Sequence, residues 1–181
     1  MRIKDMVLLS MLSALAFVSA VLVKIPIMPS APFLRFDVKD AIIIIGGIMY
    51  GPLPAFAVSC IVCLLQMMLT GESGLIGFAM NLLSTVAFVC TASWLYKLRK
   101  SFWGLVVGLA GGCAAMTASM MLWNYIITPY FMGVPREVVG SMLLTVFMPF
   151  NLLKGGINGV IVLLYVKPLF AALSALNFYD D

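Results

Sequence analysis

Long apolar runs constrain this chain more than any single motif does. Met6–Val23, Leu75–Tyr96 and Phe102–Ile127 contain no acidic or basic residue, and each is long enough to cross the ~30 Å hydrocarbon layer of a bilayer as a helix. With 64% hydrophobic and 10% charged residues and a mean hydropathy of +1.14, the 181 residues have too little polar surface to cover a water-soluble globule. The expected fold is therefore all-α and integral to the membrane.

Turn residues divide the rest. The apolar stretch from Asp40 to Leu69 is too long for one ordinary span and short for two, and Gly51-Pro52-Leu53-Pro54 breaks it. Six transmembrane helices are expected, at about 6–23, 38–50, 54–69, 75–96, 102–127 and 149–172, in a single membrane domain covering 1–181. Span five should stop before Thr128-Pro129, and the apolar piece Gly140–Phe147 reads as a re-entrant or interfacial helix. The first run has a basic start like a signal peptide, but it reaches Lys24 without a clear cleavage site and reads as a retained span.

Charge supplies orientation. An even number of spans puts Arg2, Lys4, Lys97, Arg99, Lys100 and Lys167 on one side and Lys24, Arg35, Lys39 and Arg136 on the other. Basic residues accumulate on the cytoplasmic side, so both termini are expected there. Topology and anchoring account for the net charge of +4, and no nucleic-acid partner is expected.

The residue inventory argues against an enzyme. There is no histidine, and the acids Asp5, Asp37, Asp40, Glu72, Glu137, Asp180 and Asp181 all fall outside the deep part of any span. No phosphate-binding G-x-x-x-x-G-K-[ST] loop occurs, so energy for any transport has to come from another chain. Cys60 and Cys63 lack a second pair or a histidine to complete a metal set, and with Cys90 and Cys113 they read as buried small side chains. No cofactor or metal is expected.

One segment breaks the apolar pattern. In FMPFNLLKGGINGV, Asn151 and Lys154 lie about one helical turn apart, and Asn158 continues the same stripe. A lysine near a span end can snorkel to the head groups. An amide beside an ammonium can also hold the acceptor atoms of a flat polar heterocycle. Removing a lysine from an apolar span relieves a desolvation cost, so truncating Lys154 should leave the fold intact while ligand affinity falls. Trp123-Asn124-Tyr125 lies near the same membrane side and fits an aromatic belt or a shared pocket. Asp37 and Asp40, at the start of span two, fit helix capping. Small residues spaced by four, among them Gly104, Gly108 and Gly112, suit close helix packing.

LRFDVKD at 34–40, IIGGIMYGP with Gly46-Gly47 and Gly51-Pro52, SGLIGFAMNLL at 73–83 and, most specifically, PFNLLKG at 149–155 with a downstream LLYVKPL together resemble the substrate-binding (S) components of energy-coupling factor (ECF) vitamin transporters, within them the riboflavin-specific type. The resemblance implies a subunit in a bacterial cell membrane that captures riboflavin from outside, with FMN as a second candidate ligand. A transmembrane coupling protein and two cytoplasmic ATPases would then drive uptake. It implies that Asn124, Asn151 and Lys154 hold the ligand, with Asp40 and Asn81 beside them. It implies a docking face on span one at Ser10 and Ala14, with Ala16 and Ala20 next to it. The chain departs from the usual pattern at Asp37-Val38-Lys39-Asp40, where Asp-Phe-Ser-Asp is common, and at Gln66-Met67, where Lys-Asn is common. An S component for another small heterocycle, or a non-transporting scaffold, are the alternatives.

Overall fold

A computed structural model describes residues 2–29, 31–71 and 74–175; Glu72 of the third loop and the C-terminal Asp180 and Asp181 lie outside them. The helices are α1 (Ile3–Leu22), α2 (Lys39–Tyr50), α3 (Pro52–Thr70), α4 (Gly74–Leu98), α5 (Phe102–Met132), α6 (Arg136–Met142) and α7 (Met148–Ala175). A π-helical stretch, Leu143–Phe147, joins α6 to α7 in one continuous rod. Among the described residues six rods result, and five are long and apolar enough to cross a membrane. Between α1 and α2, β1 (Ile25–Pro26) and β2 (Arg35–Phe36) form a two-residue antiparallel ribbon.

The exception in length organises the rest. At 12 residues, α2 is about 18 Å long, well short of the ~30 Å hydrocarbon layer. Its IIIIGG sequence is apolar all round, as a helix wrapped on every side requires. It packs against α1, α3, α4 and α7, and Ile43 and Ile44 are fully buried. Gly51 turns the chain sharply into α3 with φ at +95°, a conformation that only glycine adopts cheaply. α4 and α5 lie close along their length: a Cβ at Gly108 would sit 2.7 Å from the Ala92 carbonyl oxygen.

Two expected boundaries are corrected. α5 runs through Thr128-Pro129 to Met132 and ends at Gly133, in the left-handed conformation. Proline's fixed φ is helical, so near a helix end it removes a single hydrogen bond rather than ending the helix. Gly140–Phe147 is neither re-entrant nor separate. Met148 N–H reaches back five residues to Leu143 O, and this widened turn displaces the carbonyl that the Pro149 ring would otherwise meet.

The two ends of the bundle differ in charge. Tyr50, Tyr96, Lys97 and Lys100 line a small hollow at one end, where Lys167 also lies over the Phe102 ring at 4.8 Å. Arg2 and Lys4 begin α1 at that end. Lys39, counted above with the opposite end, is fully buried, which leaves Lys24, Arg35 and Arg136 as the basic residues at that end that are not buried.

Candidate ligand-binding site

The start of α2 is held by another helix. Asp37 and Asp40 do not cap it; Asn158 of α7 does, accepting from Ala41 N–H at 3.1 Å while its amide donates to Asp37 O at 3.1 Å and Lys154 O at 3.0 Å. This bracket sets the short helix deep in the bundle, with Asp40 accepting from the Thr85 hydroxyl at 2.7 Å, halfway along α4. The acids of this loop are therefore buried inside the bundle, contrary to their expected place at a span edge.

Four charges meet there. Lys39 Nζ lies 2.9 Å from Asp37 Oδ2 and 3.7 Å from Asp40 Oδ1. Lys154 Nζ lies 3.4 Å from Asp37 Oδ2 and 3.5 Å from Asp40 Oδ2. The exposure of these side chains is 7% or less. Two carboxylates and two ammoniums balance, as buried charges must. Lys154 is thus neither snorkelling nor unpaired. Asp37 Oδ1 and Asp40 Oδ2 make no hydrogen bond among the described residues.

Above this quartet opens a cavity of about 200 Å³. Its wall takes Asp37 from the loop before α2, Cys63 and Gln66 from α3, Met80, Asn81 and Ser84 from α4, Met120, Asn124 and Phe131 from α5, and Phe150, Asn151 and Lys154 from α7. Phe33 closes one side, edge-on to Phe131 with centroids 6.3 Å apart and tilted against Phe147 at 6.4 Å. Asn124 donates to Met120 O at 2.7 Å and accepts from the Thr128 hydroxyl at 2.8 Å. Asn151 donates to Phe147 O at 2.8 Å, within the widened turn. Asn81 accepts from Lys39 at 2.8 Å and donates to Gln66 at 2.9 Å.

Of the five candidate ligand residues, Asn81, Asn124, Asn151 and Lys154 share this wall, and Asp40 stands behind it, 1% exposed. Sequence reasoning missed Asp37, Lys39 and Gln66. The available signal was length: an apolar run too short to span must carry its leading D-V-K-D inside. The candidate docking residues separate. Ser10 and Ala14 are exposed, whereas Ala16 and Ala20 are fully buried in the protein's own core, which removes both from any outward face.

Residues 4–166 match the profile of a family described as the ECF transporter, substrate-specific component. The chain is 32% identical over 177 residues to the riboflavin transporter FmnP of Bacillus subtilis (strain 168), covering 92% of this chain and 93% of that protein. It is 27% identical over 172 residues to the riboflavin transporter RibU of Staphylococcus aureus (strain TCH60), covering 92% and 90%. A solved structure of the S component of a bacterial ECF transporter matches with a TM-score of 0.81 at 28% identity, over 94% of this chain and 97% of that one.

Proposed function

The chain belongs to the substrate-specific components of ECF transporters, multi-pass membrane subunits that pair with an energising module, and we propose that within that family it is the riboflavin-binding subunit. The observation that carries this reading is the composition of the cavity wall. Amides from α3, α4, α5 and α7 and the basic groups of Lys24, Arg35 and Lys154 face the same space as Phe33, Phe131 and Phe150. A flavin has that complement: flat apolar faces and an edge of carbonyls, ring nitrogens and one N–H. Identity with two riboflavin transporters along nearly the whole chain supports it. The cavity is read as opening outward, because Arg2, Lys4, Lys97, Arg99, Lys100 and Lys167 gather at the opposite end, where cytoplasmic termini would place them.

Titration of the detergent-purified chain with riboflavin, followed by quenching of flavin fluorescence, is expected to saturate at one flavin per chain. Saturable binding of a different heterocyclic vitamin, with no response to riboflavin, would overturn the substrate and leave the family in place.

Docking to the energising module is read on the exposed face of α1 that carries Ser10 and Ala14. Ala14→Trp is expected to reduce riboflavin uptake by cells at least several-fold while binding to the isolated chain stays within twofold, since bulk there blocks only an intermolecular helix contact. Ala16→Trp, inside the core, should lose both together. Equal loss of uptake and binding for Ala14→Trp would reject this docking face.

A further inference from the structure

The wall between α3 and α4 carries a side-chain relay that starts at the buried quartet. Lys39 Nζ can only donate, so the Asn81 atom facing it at 2.8 Å is the amide oxygen. Asn81 Nδ2 consequently points away and donates to Gln66 Oε1 at 2.9 Å. With its oxygen turned toward Asn81, Gln66 is left its Nε2 group to present. Among the described residues that group has no hydrogen-bond partner, and Gln66 is half-buried in the cavity wall.

We infer that Gln66 is a specificity-determining residue that offers N–H donors to an acceptor atom on the ligand edge facing α3, a carbonyl oxygen or an aromatic ring nitrogen, and that Lys39 imposes this polarity through Asn81. The inference rests on the flavin reading above. A lone amide is indifferent to polarity, because a half-turn about its last bond exchanges donor for acceptor. The fully buried ammonium at the far end of the relay removes that freedom. A ligand that brought an N–H to the same place would leave two donors facing each other without a partner, and such mismatches are what polar sites reject most strongly.

Riboflavin titrations of five variants and the wild type test this. Gln66→Glu keeps the bond from Asn81, since a carboxylate oxygen accepts it equally, but presents an acceptor in place of the donor. Affinity is expected to fall about a hundredfold, against about tenfold or less for Gln66→Leu, which only deletes the bond. Asn81→Asp keeps Lys39 partnered and has no donor left, so Gln66 must turn its Nε2 group toward it and its oxygen into the cavity. Because Asn81 itself lines the cavity, this variant is read as a difference: its loss in the wild-type background should exceed its loss in the Gln66→Leu background by about tenfold, because the relay then ends on nothing. Asn81→Ala, which frees Gln66 to rotate, should fall between the wild type and Asn81→Asp. Wild-type affinity in Gln66→Glu, or an Asn81→Asp loss of equal size in both backgrounds, would overturn the inference and leave the flavin reading standing. Absence of saturable riboflavin binding by the wild type overturns the flavin reading and this inference with it.

Discussion

Lys154→Met is expected to lower the melting temperature of the ligand-free protein by roughly 10 °C, corresponding to about 3–5 kcal/mol for a buried ion pair broken on one side. Both carboxylates within 3.5 Å of Lys154 Nζ are almost fully buried, so deleting the ammonium leaves the quartet one negative charge in excess in a low-dielectric interior. Removing one carboxylate as well should restore the balance. Lys154→Met combined with Asp40→Asn is expected to recover at least half of the lost stability. Riboflavin affinity is expected to fall tens-fold or more in the single variant and to stay low in the double variant, because the group facing the cavity is still missing. A ligand-free melting temperature in Lys154→Met equal to or above that of the wild type would show that the lysine is not paired in the folded protein.

Asn158→Leu is expected to cost about 2–6 kcal/mol, since it strands two groups, the Ala41 N–H and the Asp37 carbonyl, at about 1–3 kcal/mol each. The Lys154 carbonyl retains its helical partner and adds little. Asn158 is fully buried and absent from the cavity wall, so weakened binding would come through loss of the folded state. Saturating riboflavin at a hundred times its Kd should return about 2.7 kcal/mol. Hydrogen exchange at the amides of the first turn of α2 locates the effect. Unchanged protection there, together with an unchanged melting temperature, would reject the bracket.

The stripe Asn151–Lys154–Asn158 was legible because residues three and four apart share a helix face, whatever they meet across it. What Lys154 meets was not. Its partners, Asp37 and Asp40, lie more than a hundred residues earlier, in a loop whose charges read equally well as a solvated helix start, and sequence spacing carries no information across that gap. The expectation that the fold would tolerate the loss of Lys154 took no account of these partners, and its ion pairs to Asp37 and Asp40 argue the reverse for stability. The same limit hid the meaning of two departures from the resembling family. A lysine at position 39 and a glutamine at position 66 look like separate changes, yet Asn81 joins their side chains. The boundaries at Pro129 and Pro149 were misplaced because proline stops a helix only where its missing bond cannot be absorbed. The last turn of α5 and the π-helical stretch absorb it.

The bracket between Asn158 and the start of α2 also dictates an order of events during synthesis. Ala41 leaves the ribosome 117 residues before the side chain that accepts its N–H, an interval of roughly 6–23 s at about 5–20 residues per second. Throughout that time α2 is too short to hold itself across the bilayer, and Asp37, Lys39 and Asp40 lack Lys154. The first five rods can be inserted without completing the interior. The interior closes only when the last one arrives, so a chain that stalls before α7 is left with an open charged centre.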